Sequence, residues 1–546
     1  MIMLEINWQC SSCDGKTRNF SFPENGVTDL FSVIPPFEGK NKSVSLTGTI
    51  ELASPVTAVF GVAADSCWLF KVNGEILLDA RVSGNSETPV SPDNHPFEID
   101  LDAGKNVFEL EIFGKDRAPQ TLPVAFKQLA DRGKLEFKYQ PVILYPDANA
   151  RAVSVVFAGT VPSPAAVEYR PAGGKTYQRV YNSRGGQILR HLSRHHIRIE
   201  DLEPDTRYEY RAILIDDLRQ MADAAFSEAG YFRTPDEKGD FTFVATADLQ
   251  DESRRTEYLE RLLGAESPFE MDFFAYLGDV FWTTDCDRTV MDKFIVPFRS
   301  ITGNNTPLVM VRGNHENYGR EWYKYLEYFS MPQPGRDGYG LFKIGDVCFI
   351  VLDFGDDAPN IAQPSTRCFH DFKPYIASQR KWLKRMIDTP ECRNAKFRIV
   401  LAHATPLGDS KEYLPGLVRE ITEPFFGGKD PLVKIHLYLG GHIHRPFRSI
   451  PFKAACFSSC DPRKLASPHP KIGEEYGFTV VTTGGPSRLE NMAGFQATSI
   501  KVDVNGDRMN VSCFDFDNKE YDRFSIDCDG RVFAEKSRED FRYFEY

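Results

Sequence analysis

The chain has 546 residues, 42% of them hydrophobic and 26% charged, with a net charge of −12 at pH 7. That is too long for a single core and points to several domains. No run of about 18 apolar residues occurs, which excludes a membrane-spanning helix. No Lys/Arg cluster or basic stripe offers a surface for nonspecific binding to nucleic acid or anionic membrane.

An acidic balance does not exclude an anionic substrate, because a metal pair can supply local positive charge. The opening MIMLEINWQC lacks a basic region followed by an apolar stretch. A cytoplasmic location is therefore expected, or a secreted one if a signal peptide has been removed. The 11 cysteines are an odd count, scattered along the chain, which fits reduced and mostly buried thiols. Cys10 and Cys13 form one CxxC, but no second CxxC follows to complete a zinc site, and Cys456 with Cys460 is no stronger.

The first block, 1–133, alternates short apolar segments with turn signals: VSLTGTIEL, TAVFGVA, CWLFKVNGEILLDA and PFEIDLDAGKNVFELEIFG. Asn73-Gly74 between two apolar runs predicts a hairpin, and Asp102 to Asn106 a second turn. An antiparallel β-sandwich is expected. The segment WLFKVNGEILLDA and the hairpin after it loosely resemble jelly-roll domains of the carbohydrate-binding type.

The second block, 134–238, carries Leu202-Glu203-Pro204-Asp205-Thr206-Arg207-Tyr208. This segment resembles the stretch of fibronectin type III domains that holds the tyrosine corner, which would make 134–238 a second β-sandwich with Tyr208 at that corner. His191, His195 and His196 lie just before it. Three close histidines invite a metal, but HHIRIEDL reads as a strand, whose neighbouring side chains face opposite ways.

From about Asp240 the texture changes, and the third block, 239–546, alternates strands with helices. FTFVATADL precedes RRTEYLERLL, MDFFAYLGDV precedes DRTVMDKFIVPF, and PLVMVRGNHE precedes EWYKYLEYF. VCFIVLDFG, SQRKWLKRMI, FRIVLAHA and HLYLGGHIH follow. Such alternation implies a parallel or mixed sheet with helices outside it. After Phe495 the pattern returns to hairpins, read as closing strands of the same domain.

Asp248 follows FTFVATA, Asp279 follows FFAYLG, and Asn314 with His315 follow PLVMVRG. His403 follows IVLA, and His442 with His444 follow HLYLGG. Ligands bind outside the carboxyl ends of strands in open α/β sheets, so five strand ends deliver metal-type side chains to one edge. Gly278, Gly313, Gly440 and Gly441 just before them allow sharp turns and close backbone approach. Singly, a strand-end Asp is as readily a helix cap, and a lone His a structural residue; the ordered set is what points to a metal site.

The ordered motifs D-L-Q (Asp248 to Gln250), G-D-V, G-N-H-E (Gly313 to Glu316), His403 and G-H-I-H (Gly441 to His444) resemble the calcineurin-like metallophosphoesterases. The likeness covers about 240–546, and with the fibronectin-like block upstream the layout is similar to that of purple acid phosphatases. It implies hydrolysis of a phosphate ester by metal-bound hydroxide, in either a phosphomonoesterase or a phosphodiesterase. By that resemblance Asp248, Gln250, Asp279 and His444 would hold one metal, and Asp279, Asn314, His403 and His442 the second, with Asp279 bridging. His315 would contact the phosphate and protonate the leaving oxygen.

Two divalent ions bring four positive charges and the two aspartates remove two, leaving enough to hold a phosphate. Many members have His where Gln250 stands; an amide oxygen is a harder ligand, so manganese or iron is favoured there over zinc, with magnesium also admissible. Purple acid phosphatases place an iron-binding Tyr where Trp282 stands. A tyrosinate–iron chromophore is not expected, and the resemblance stops short of a purple acid phosphatase proper.

Glu316 is expected behind the ligands, and Asp353 as a structural residue. Candidate substrate contacts are Asn314, His315, Trp282, His370 and Arg445, each with packing as the alternative; Phe281, Asn317 and Tyr318 are further pocket-lining candidates. A small phosphorylated substrate is the expected partner, with homo-oligomer or glycan contacts through the β domains. The competing function is a glycan- or protein-binding multidomain protein with a metal site weakened at Gln250.

Overall fold

A computed structural model describes the chain apart from residues 1–3, 14, 40, 82–88, 116–118, 130–134, 146–150, 191, 217–219, 237–238, 251, 265–266, 268, 285–286, 304, 320, 330, 332–336, 357–369, 408–412, 462–469, 484, 486–496 and 546. The N-terminal residues form two facing antiparallel sheets. Six strands, Thr17–Phe20, Asn7–Ser11, Ser43–Leu52, Gly104–Phe113, Cys67–Val72 and Glu75–Asp79, pair in that order. Four more, Val27–Asp29, Pro123–Gln128, Val56–Ala64 and Pro96–Leu101, make the opposing sheet.

Ser43–Leu52 alternates half-buried and buried residues, as a strand with one face on a core must. Its inward side chains join Trp8, Phe60, Phe70, Phe108 and Phe126 in an aromatic core. The Asn73-Gly74 hairpin forms as expected, with both residues at positive φ (50° and 83°). The turn at Asp102 to Asn106 does not close a hairpin. Pro96–Leu101 and Gly104–Phe113 pair in different sheets, so the chain crosses the sandwich there. Cys10 is buried in this core, which pushes its thiol up to about 11, while exposed Cys13 donates its thiol to the Ser43 carbonyl.

In the following residues the Tyr208 hydroxyl accepts the Glu203 backbone N–H at 2.9 Å, tying a strand to backbone just upstream. His195 and His196 point to opposite sides of Arg194–Ile199: His195 is buried, packing on Phe157, and His196 is half-buried. His191 lies outside the described residues.

Three strands of this region, Phe137–Leu144, Val153–Gly159 and Arg194–Ile199, do not stand apart. They continue a ten-stranded sheet through a parallel link at Leu144 and Leu308. That sheet runs on through Leu308–Met310, Phe273–Tyr276 and Phe241–Thr246, then into the antiparallel C-terminal strands Ser499–Asn505, Arg508–Phe514, Glu520–Asp527 and Val532–Ser537.

A second, eight-stranded sheet faces it: Gly340–Ile344, Val347–Leu352, Phe397–Ala402, Leu437–Gly440, Thr479–Thr482, Phe447–Ser449, Ala455–Ser458 and Arg542–Glu545. Between them lies one apolar layer in which Phe243, Phe273 and Val309 meet Phe349, Ile399 and Leu439. Helices Glu252–Leu263, Val296–Thr302 and Tyr323–Phe329 cover the outside of the first sheet, and Phe372–Met386 and Tyr413–Phe426 that of the second.

Strands covered on both faces read as unbroken apolar runs, and Val347–Leu352 is buried throughout. Helix Phe372–Met386 buries Phe372, Ile376, Gln379, Trp382 and Leu383, a single stripe at helical spacing. The result is a mostly β N-terminal region followed by a helix–sheet–sheet–helix domain. Among the described residues no helix is long and apolar enough to cross a membrane.

Burial holds two histidines neutral: the His195 and His436 imidazoles are pushed down to about 4. In the unfolded chain both protonate near pH 6.5, so falling pH favours unfolding from about 6.5 downward until the folded groups also protonate near 4. Each should cost about 3 kcal/mol of stability at pH 4. Melting temperatures across pH 4–7 should show that slope, and His195→Gln combined with His436→Asn should flatten it.

Candidate metal centre

Five parallel strands of the two sheets end at one rim, three in the larger sheet and two in the smaller. The candidate residues follow those ends directly, so the site spans the seam between two sheets and not the edge of one. Each chain must fold back over the rim. Asp248, Asp279, His442 and His444 do so with φ of 61°, 59°, 71° and 51°. This left-handed backbone costs a non-glycine residue about 1–3 kcal/mol.

Neighbouring glycines admit the approach. A Cβ on Gly313 would fall 2.2 Å from an Asp279 carboxylate oxygen, and one on Gly441 2.4 Å from an Asp248 oxygen.

The ligand-type atoms gather in two groups, each within 4.8 Å: Asp279, His403 and His442, and Asp248, Asp279 and His444. Asp279 belongs to both. His403 Nε2 lies 3.1 Å from Asp279 Oδ2, and His444 Nε2 3.4 Å from Asp248 Oδ1. The Gln250 amide nitrogen donates to Asp279 Oδ2 at 2.8 Å, which puts the carboxamide beside the shared carboxylate. Asn314 Oδ1 faces His403 Nε2 at 3.1 Å and His442 Nδ1 at 3.0 Å.

The His403 Nδ1–H donates to the Leu277 carbonyl at 2.8 Å, which turns Nε2 toward the cage, where loss of its proton would make it a metal ligand. Imidazole nitrogens, carboxylates and the Asn314 amide oxygen gathered in one small space are a donor set suited to divalent transition ions, and each of the two groups could hold one.

The electrostatics point the same way. Burial drives the Asp248 carboxyl above the ordinary range, with the Asp279 charge adding to the effect. Burial also pushes Asp279 up, but the imidazoles of His403 and His315 outweigh it and hold the carboxylate well below its usual range. His403 is driven up in turn, because Asp279 outweighs the burial that would lower it. Two buried acids crowded together, with imidazoles as their ion-pair partners among the described residues, form a cation-attracting cage.

Glu316 lies behind the ligands, fully buried, and accepts the N–H groups of Asp279, Val280 and Gly313 at 2.7–2.9 Å. His315 stands outside both groups. Its N–H donates to Asp279 Oδ1 at 3.0 Å, its Nδ1 lies 2.9 Å from the Trp282 carbonyl, and its Nε2 lies 4.0 Å from Asp279 Oδ2. Trp282 is 42% exposed, with its ring 5.1 Å from that of His315. His370 does not touch the cage; its Nε2 lies 3.0 Å from Asp356 Oδ2. The Arg445 backbone carbonyl accepts the Thr482 hydroxyl next to the rim. Asp353 pairs with buried Arg312 at 2.6 Å, a structural role.

Residues 241–446 match the family model described as calcineurin-like phosphoesterase. The chain carries a calcineurin-like phosphoesterase domain. Among solved structures, purple acid phosphatase PPD1 from yellow lupin (Lupinus luteus) seeds is similar over 89% of this chain and 93% of its own, at 13% identity and a TM-score of 0.53, a likeness of fold. A β-D-mannosidase from Dictyoglomus thermophilum matches over 57% of this chain and 47% of its own, at 13% identity and a TM-score of 0.25. Vps29 from Entamoeba histolytica matches over 54% of this chain and 97% of its own, at 10% identity and 0.22. No curated protein matches the sequence.

Three residues of the candidate metal site escaped sequence reasoning. A Cβ on Gly485 would meet the Asp248 carbonyl at 2.2 Å; the signal was a Gly-Gly pair after the apolar strand Thr479–Thr482. The Tyr276 hydroxyl accepts the Leu249 N–H at 2.9 Å from inside a strand that reads only as core. Asp356 binds the hydroxyl of Tyr318, and nothing in the local sequence marks it.

Reconstituted with manganese, Asp279→Asn should lose both ions and Asp248→Asn only one, as elemental analysis per chain would register. Glu316→Ala should lower stability by about 3 kcal/mol or more, because it strands three buried N–H donors; denaturant melts of the metal-free proteins would measure it.

Proposed function

We propose that the chain hydrolyses a phosphate ester with two divalent ions, and that Asp279 bridges them. The carrying observation is that both ligand groups share Asp279 and close on one buried space. Asp248, Gln250, Asp279 and His444 would hold one ion, and Asp279, Asn314, His403 and His442 the other. Such a pair supplies positive charge to the phosphate oxygens and lowers the pKa of bound water toward neutrality. An oxygen-rich Gln250 side favours manganese or iron there.

His315 is placed to serve the leaving group. With Nδ1–H fixed on the Trp282 carbonyl, its proton for transfer sits at Nε2, facing the Asp279 side. The exposed indole of Trp282 beside it offers a flat wall for the departing alcohol. The Tyr208 contact supports a fibronectin type III-like reading of the region before the catalytic domain, which we assign a scaffold role together with the N-terminal sandwich.

A binding protein with a weakened metal site is the second reading; what favours it is that Gln250 turns its amide nitrogen toward Asp279. Fewer than one metal per chain after reconstitution would select it.

Paired aryl phosphate mono- and diesters assayed under manganese, iron and zinc test the hydrolase. Absence of turnover in a folded, metal-loaded sample would sink it. His315→Ala should keep its metal content while turnover falls by about two orders of magnitude or more. Loss of metal and activity together would show that the proton-transfer role belongs elsewhere.

A further inference from the structure

Asn314 presents an amide to the cage, and an amide has two unlike ends. Only its oxygen can bind a cation, and the isolated side chain could expose either end. Three contacts settle the choice. The Asn314 amide nitrogen donates to the Tyr318 hydroxyl at 3.0 Å, and that hydroxyl donates to Asp356 Oδ1 at 2.9 Å. The other Asp356 oxygen lies 3.0 Å from His370 Nε2. Asn314, Tyr318 and Asp356 are all buried.

A carboxylate only accepts hydrogen bonds. Tyr318 must therefore spend its single proton on Asp356 and can meet Asn314 only as an acceptor. Asn314 must then turn its nitrogen to Tyr318 and its oxygen to His403 and His442, where Oδ1 lies 3.1 and 3.0 Å from their ring nitrogens. The direction of the chain is set at Asp356 and read out at the metal site.

We infer that Tyr318 and Asp356 are positioning residues that fix the Asn314 amide oxygen toward the metal held with His403 and His442, a role resting on the dinuclear reading above. Neither touches that metal. Partners of this kind, behind a ligand, set its orientation and typically change metal affinity 10–100-fold. The Tyr318 ring also packs on His315, its centroid 4.7 Å from the imidazole's, so activity alone would not separate the two effects.

The test is manganese binding by the full chain, followed by calorimetric titration and by competition with a chromophoric chelator, with melting in chelator as the folding control. Tyr318→Phe should bind one ion as wild type does and the second about 10–100-fold more weakly. Asp356→Asn, which keeps the shape but lets residue 356 donate, should show the same selective loss.

Asn314→Asp supplies the decisive background. A carboxylate offers oxygen at either end, so there Tyr318→Phe should cost less than about threefold. Unchanged affinity for both ions in folded Tyr318→Phe overturns the inference, and so does an equal loss in the Asn314→Asp background. A wild-type chain that binds no manganese, iron or zinc overturns the dinuclear reading first and this one with it, whereas two ions bound with no effect of Tyr318→Phe removes only the positioning role.

Discussion

Two buried carboxylates, Asp248 and Asp279, stand close enough to share one cluster of imidazoles, and the domain is organised around that repulsion. The ion pairs they form are with His315, His403 and His444, groups that are neutral or cationic according to pH. Imidazole is a poor permanent counter-ion but a good metal ligand. An arginine would neutralise the acids and close the site, as Arg312 does for Asp353 at a buried pair nearby. Histidines leave the negative charge available to cations.

Holding that arrangement costs the backbone. Four residues at the rim sit in the left-handed region, and two buried glycines have no room for a methyl group. What resists relaxation is the rigid scaffold behind them. The strands preceding Asp279, Asn314 and His442 are fully buried between facing sheets and helices. The Glu316 carboxylate ties the Asp279, Val280 and Gly313 N–H groups to one point. Strain stored in short turns persists only where surrounding contacts over-determine it, and here a sheet on each side supplies them.

The clustering of Asp248, Asp279, His403, His442 and His444 was legible because such residues recur at one grammatical place. A run of apolar residues, then glycine, then an acid, amide or imidazole, marks a strand end of the kind where open α/β sheets bind ligands. Tertiary pairing was not legible. That three strands from before residue 239 extend the larger sheet of the C-terminal domain depends on one parallel link at Leu144, which leaves no mark on local sequence. The turn at Asp102 to Asn106 likewise has turn chemistry, but whether the chain returns alongside or crosses to the facing sheet is decided by packing on the Phe60 and Phe108 core. Asp356 was invisible for the same reason: its meaning comes from Tyr318, 38 positions earlier in the chain.

The two halves of the cage are not built alike, and the difference bears on Gln250. His403 and Asn314 are anchored from behind, by the Leu277 carbonyl and by the Tyr318–Asp356 chain, and the His403 side chain is 4% exposed. On the other side His444 is 27% exposed and His315 19%, with the indole of Trp282 open beyond them. Solvent thus reaches the cage from the His444 side, against a dry wall formed by His403. A ligand in the dry wall has no water to replace it and must be exact in geometry. A ligand on the wet side can be exchanged for water or weakened without leaving a buried charge unmet. Gln250 is not such a ligand: it is 2% exposed, so its amide must meet protein partners, as its nitrogen does on Asp279, and cannot defer to water.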